Sequence, residues 1–186
     1  MANLIDDVKN ALSSVLTGAG DVVSAAQDVA RDNVTKAVQG AGEVAVGGID
    51  AVSQVVTGGI DALSSSGSSL TQGVTGLVRG AVDGAKDVGV DSAEAAGEAA
   101  STAVKEGSKV GGDVGEVAVS AVEGVIGAAD DIGADAGNLA KSAVLGALSA
   151  ADEISSEAGS IVRKALLNAI ALPHDVIDAL LTGKTE

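Results

Sequence analysis

The chain has no cysteine, no phenylalanine, no tyrosine and no tryptophan, and only one proline, one methionine and one histidine among its 186 residues. Without cysteine there is no disulfide framework, no thiolate metal site and no redox couple. Without aromatics the apolar mass is mostly Ala and Val, so any core is built from small pieces and any interface lacks aromatic anchors. Basic residues are scarce too: 11 Lys and Arg stand against 26 Asp and Glu, a formal charge of −15. That excludes a phosphate-tracking nucleic-acid interface, which needs a basic face. It also argues against charge-driven attachment to an anionic bilayer. The acid excess reads as a solubility device. No run of about 18 apolar residues exists, so no transmembrane span is expected. The first residues, MANLIDDVKN, lack the basic start and apolar run of a signal peptide, and a cytoplasmic location is the expectation.

What the chain does have is glycine, alanine, valine and a period. Apolar residues make up 46% of it. The stretch Val38–Leu70 carries the repeat most openly. Ile49-Asp50-Ala51-Val52 returns as Ile60-Asp61-Ala62-Leu63, and Gly47-Gly48 returns as Gly58-Gly59. Eleven residues over three helical turns is about 3.67 residues per turn, which keeps an apolar stripe nearly straight along a helix. The same stripe runs from Val22 to Leu63 and, most clearly, from Val114 to Ala169. The strict alternation of a strand is missing.

The expected fold class is therefore all-α: long amphipathic helices with 11-residue periodicity, arranged as an antiparallel bundle or an extended helical assembly. The expected helices span 3–17, 21–63, 70–106, 113–171 and 173–181, in one unit covering 1–186. Loops are expected at Ser64–Ser69 and Gly107–Asp113. Pro173 disfavours helix at Leu172 and opens the terminal one.

Such a stripe is thin. Ala and Val bury little area each, at about 25 cal/mol per Å². Glycine costs about 1 kcal/mol per residue in a helix interior, and 26 glycines are present. A helix of this kind needs a surface to lie on. The residues expected to meet that surface are Gly48, Ile49, Val52, Val56, Gly59, Ile60 and Leu63 in the first half. In the second half they are Gly107, Gly111, Val114, Val125, Ile132, Ile154 and Ile161. Gly76-Gly80-Gly84 and Gly107-Gly111-Gly115 have the i, i+4 spacing that lets helix backbones approach closely. The C-terminal end is the most apolar part, and Leu166, Leu167, Ile170, Leu172, Val176, Ile177, Leu180 and Leu181 are expected to anchor or dock.

Catalytic and ligand motifs fail on inspection. Gly183-Lys184-Thr185 would end a phosphate loop, but Asp178 stands where that loop needs Gly. Gly40-Ala41-Gly42 lacks the strand–turn–helix setting of a dinucleotide fingerprint. Asn33-Val34-Thr35 fits a glycosylation sequon with no secretion signal beside it. His174 with Asp175 and Asp178 is a single histidine among scattered carboxylates, which makes neither a zinc site nor a triad, and it reads as a polar residue in the first turn of the terminal helix. Asp130-Asp131-Asp135 reads as a solvated helix face. No catalytic residue, metal ligand or cofactor site is expected, and no enzyme activity.

Val55-Val56-Thr57-Gly58-Gly59-Ile60-Asp61 and Leu70–Val78 resemble the eleven-residue helical repeats of perilipins. Val74–Val90 and Ala103–Val119 resemble synucleins and exchangeable apolipoproteins. The likeness is one of period and composition over most of the chain. It implies a helix that coats a lipid droplet, vesicle or lipoprotein. The regular lysines of synuclein repeats are replaced here by acids, Ser and Gly, which leaves a neutral droplet or granule as the implied surface. Three functions follow as expectations. The first is a structural protein whose helices self-associate into a bundle, scaffold or filament, with itself as partner. The second is a coat on neutral lipid or a storage granule. The third is a stress or ice-binding helical protein.

Overall fold

A computed structural model describes residues 4–18, 20–41 and 44–169, the side chains of 41–46 aside. Eight α-helices make up these residues, with no strand among them. In chain order they are α1 (Leu4–Leu16), α2 (Val22–Ala41), α3 (Val44–Ser66) and α4 (Leu70–Asp87), followed by α5 (Ser92–Lys109), α6 (Val114–Ile132), α7 (Ala136–Ile154) and α8 (Ser156–Asn168).

The long helices expected over 21–63, 70–106 and 113–171 are each broken. The first divides between Ala41 and Val44, the second between Asp87 and Ser92, and the third between Ile132 and Ala136 and again at Ser155. Helix 173–181 lies outside the described residues. The breaks follow a unit twice the eleven-residue repeat. Gly67, Gly89, Gly111 and Gly133 fall 22 residues apart, and all four have φ between 67° and 81°. Only glycine enters that left-handed region freely, so each ends its helix and turns the chain. Residues 64–66 and 107–109, expected in loops, belong to α3 and α5 instead.

At Gly89, Gly111 and Gly133 the stop is built from the same bond. The Val90 N–H donates to the Ala85 carbonyl at 2.9 Å, Gly112 to Gly107 at 2.8 Å and Ala134 to Ala129 at 2.9 Å. These are the six-to-one bonds that close a helix around a left-handed glycine. Two residues past each glycine stands the cap of the next helix. Ser69, Asp91, Asp113 and Asp135 accept from the backbone N–H of Gln72, Glu94, Glu116 and Asn138 at 3.4, 2.9, 3.0 and 2.8 Å. Three of the four acceptors are carboxylates facing the positive end of the helix dipole, and each cap stabilises by about 1 kcal/mol.

Twenty-two residues is also six turns of a stripe whose period is about 3.67, so each break returns the apolar face in phase. Consecutive helices pair antiparallel. Gly59 sits under the Leu77 side chain while Gly73 sits under Leu63. Helices two apart run parallel. Gly76, Gly80 and Gly84 of α4 lie on the backbone of α2 at Val23, Gln27 and Arg31, at a constant separation along the chain. Among the described residues every helix touches only its neighbours one and two along. The result, among the described residues, is two layers, α1-α3-α5-α7 and α2-α4-α6-α8, stacked into a quasi-one-dimensional array.

The core lies between the layers. It is a line of Ala and Val, with Leu12, Ile60, Leu63, Leu77 and Leu166 as its largest fully buried members. Small side chains suit this geometry because parallel helices approach almost backbone to backbone. A β-carbon on Gly58, Gly80, Gly124 or Gly146 would collide with the main-chain carbonyl of Ile5, Gln27, Thr75 or Gly97. The close approach recovers in van der Waals contact what glycine costs in helix propensity. No described helix is long and apolar enough to cross a membrane.

Candidate functional site

Where parallel helices meet through glycine, their neighbouring polar side chains are forced together. On the outer face of α2, α4 and α6 this produces one connected cluster. Gln27 donates through Nε2 to Asp83 at 3.0 Å and to Asp131 at 3.3 Å. Arg79 forks onto Asp131, with Nε to Oδ2 at 2.6 Å and Nη2 to Oδ1 at 2.7 Å. It reaches Asp131 by lying across Gly127, whose missing side chain makes room for the guanidinium. Arg31 pairs with Asp87 at 2.7 Å.

Asp83 is the one carboxylate that the described residues bury, at 2% exposure. Its Oδ2 is held by Gln27, while its Oδ1 is buried without a partner. Burial pushes the Asp83 carboxyl above the usual carboxylate range, and the nearby charge of Asp131 adds to that. The hydrogen bond from Gln27 and the charges of Arg31 and Arg79 oppose the shift without cancelling it. Asp131 goes the other way: the Arg79 hydrogen bond holds it below the usual range. Arg31 and Arg79 are each raised by their carboxylate partners, Asp87 and Asp131.

The odd layer has a smaller counterpart. Thr102 is buried on α5 where other helices carry glycine, and its Oγ1 lies 3.1 Å from Ser53 Oγ on α3 and 3.3 Å from Glu98 Oε1. On the even layer Thr75 Oγ1 bridges from α4 to the Ser120 carbonyl of α6 at 3.3 Å. These groups pair with one another across helices, so what they can do chemically is hold neighbouring helices in register.

Among the described residues, two of the open surface grooves offer themselves as sites. One runs beside the α4–α5 and α6–α7 turns, between Lys86, Asp91, Asp135 and Asn138. The other lies between α6 and α8, at Glu116, Ser120, Ile161 and Ala165. Neither draws polar groups together around a point where a substrate would react. Among the described residues no group of three or more His, Asp or Glu is placed to hold a metal ion.

The residues expected at a packing surface fall into three groups. Val52, Val56, Ile60, Leu63 and Val125 are fully buried in the core. Gly48, Gly59 and Gly107 are buried beneath Val90, Leu77 and Val117, and Ile49, Val114 and Ile132 pack partly buried against the core. The third group departs from expectation. Gly111 is a turn residue with φ 81°, which splits the Gly107-Gly111-Gly115 ridge between two helices. Ile154 and Ile161 are 41% and 40% exposed, Ile161 beside Gly115 in the groove between α6 and α8. Of the expected anchor, Leu166 is buried in the core and Leu167 is 37% exposed. Ile170, Leu172, Val176, Ile177, Leu180 and Leu181 lie outside the described residues, as does His174.

Sequence reading missed the Gln27–Asp83–Asp131–Arg79 cluster. One signal was present: Asp83 sits three residues after Gly80 and next to Gly84, so it borders the glycine ridge where a charge is out of place. Comparison with protein-family models, curated proteins and solved structures finds no match in any of the three.

Proposed function

We propose that this protein is a non-enzymatic structural element, a self-packed helical scaffold whose work is done by its shape and its acidic surface. The observation that carries this reading is the use of the apolar stripe. Each helix buries it on the chain's own helices one and two along. The surface that so thin a stripe needs is supplied from within, and the structural reading is thereby narrowed from packing between copies to packing inside one chain. The polar side chains support the same reading, since the cross-helix groups are spent on one another.

A coat on a lipid droplet or granule is the competing reading. It requires the helices to part and turn Val52, Val56, Val125 and their like toward lipid. The two differ in a simple experiment, far-UV circular dichroism on dilute protein with and without a neutral-lipid emulsion. A scaffold is strongly helical in buffer alone, and neither dilution nor emulsion changes the signal. A chain that is coil in buffer and helical only with emulsion overturns the proposal in favour of the coat.

A further inference from the structure

The seam of α2, α4 and α6 holds two carboxyl groups in unequal company. Gln27 bridges them, one Nε2 donating to Oδ2 of Asp83 and to Oδ2 of Asp131. Asp131 accepts two further bonds from the Arg79 fork, so its negative charge is well met. Asp83 has no such help. Its Oδ1 is buried without a partner, and the residue is almost wholly shut off from water. An ionised Asp83 would carry charge on an oxygen that nothing solvates. A proton removes that charge, and the Asp83 O–H then donates to Asp131, which lies within hydrogen-bond reach. Two carboxyl groups placed like this hold one proton between them.

The surroundings favour the proton on Asp83. Burial acts on its carboxyl most strongly, and Asp131 of α6 adds a like charge. Arg31 of α2 and Arg79 of α4 oppose them, but both are paired already, Arg31 with Asp87 and Arg79 with Asp131, beside which Asp130 also acts on Arg79. The other helices packed on α4 are α3 and α5. Among the described residues, Asp50 and Asp61 of α3 and Glu94 and Glu98 of α5 make no bond to Asp83.

Gly80 and Gly84 seat α4 on the α2 carbonyls of Gln27 and Arg31, on either side of Asp83. Water therefore reaches Oδ1 only when these helices part. We propose that Asp83 and Asp131 form a proton-sharing latch on the α2–α4–α6 seam, closed while Asp83 holds its proton and released when it ionises. The folded chain holds that proton more tightly than the unfolded one, so the fastening is complete below the ordinary aspartate range and is lost as pH rises through the raised value. Asp131, which the Arg79 hydrogen bond keeps low, acts only below that range and in the opposite sense. The α5–α7 seam, where Gly146 meets the Gly97 carbonyl, has no buried carboxylate among the described residues and makes the internal control.

Carboxyl-carbon NMR and residue-resolved amide exchange on the dilute full chain, from pH 3 to 8, test the latch together. Asp83 is expected to titrate above the ordinary aspartate range and Asp131 below it, and Asp131→Asn is expected to lower the Asp83 midpoint. Protection factors, corrected for the intrinsic pH dependence of exchange, are expected to fall in 26–30, 80–84 and 125–129 by up to about tenfold per pH unit between the ordinary range and that midpoint, as one proton requires. Asp83→Asn is expected to abolish the fall and to leave α5 and α7 unchanged. An Asp83 midpoint at or below the ordinary range overturns the latch. So does a midpoint indifferent to Asp131→Asn, a fall that survives Asp83→Asn, or a fall shared equally by α5 and α7. If a variant fails to fold, the wild-type titration and exchange still decide. The latch concerns how the folded chain responds to pH, so its failure would leave the scaffold reading untouched.

Discussion

A residue that costs helix stability can be the one that holds a fold together, and Gly80 is the clearest instance. In an isolated helix, Gly80→Ala would gain about 1 kcal/mol of propensity. Here the added methyl meets the Gln27 carbonyl, which belongs to backbone and has little room to yield. Gly80→Ala is expected to destabilise by about 1–3 kcal/mol, the usual cost of overpacking. Gly40, exposed near the end of α2 with open space where a β-carbon would stand, makes the control. Gly40→Ala is expected to stabilise by up to about 1 kcal/mol. Urea denaturation of both variants checks the pair, and equal effects would remove the close-approach explanation.

Asp83 poses a second question at this scale. Its carboxyl is raised in the folded protein, so the folded state holds a proton that the unfolded chain releases more easily. Any stability tied to that proton is full below the ordinary aspartate range and is lost as pH rises through the raised value. Asp131 is lowered, and its contribution is present at neutral pH and lost as pH falls. Asp83→Asn mimics the protonated side chain. It is expected to stabilise at pH 7 by about 1–3 kcal/mol, the range for an unsatisfied buried group, and to change little near pH 3. Thermal melts of both proteins across pH 3 to 8 measure the difference. A variant weaker than the parent at pH 7 and equal to it near pH 3 would mean that Asp83 works ionised.

At the scale of the element, the question is why helices stop where they do. The eleven-residue period and the presence of a break within Ser64–Ser69 and within Gly107–Asp113 were legible because apolar spacing and Ser/Gly runs are local signals, although 64–66 and 107–109 themselves are helical. The turns at Gly89 and Gly133 were not, because glycine is so frequent that a turn glycine resembles one in the stripe. What separates them is context: Asp91 and Asp135 follow two residues later, each with a polar residue, Glu94 or Asn138, three further on. The cap and the stop act as a pair. Asp91→Ala and Asp113→Ala are each expected to cost about 1 kcal/mol in chemical denaturation. Near-neutral results at both sites would mean that the glycine alone sets the turn. The Gln27–Asp83–Asp131–Arg79 cluster showed only as a charge, Asp83, on the glycine ridge, for a different reason. Its members lie on three helices, and only the parallel seating of α2, α4 and α6 brings Gln27 and Asp131 to Arg79 and Asp83.

At the scale of the whole molecule, charge and topology decide. With 26 acids and 11 bases the folded chain repels itself, and the exposed pairs Arg31–Asp87 and Lys105–Glu153 offset little of that. Added salt shortens the reach of the repulsion to about 10 Å at 0.1 M and less above. The melting temperature is expected to rise with NaCl, and a fall would mean that ion pairs outweigh repulsion. The fold class was legible from the period, whereas the partner of the stripe was not. Periodicity says that an apolar face needs cover; which of its own neighbours covers it depends on a 22-residue unit that returns the face in phase after every turn.

The central claim is that one chain folds its stripe onto itself through that unit. Residue-resolved NMR on dilute, lipid-free protein tests it most directly. The account predicts helical shifts interrupted at Gly67, Gly89, Gly111 and Gly133, with through-space contacts between Gly80 and Gln27. Helical shifts running unbroken through Gly133, or coil shifts throughout, would contradict it.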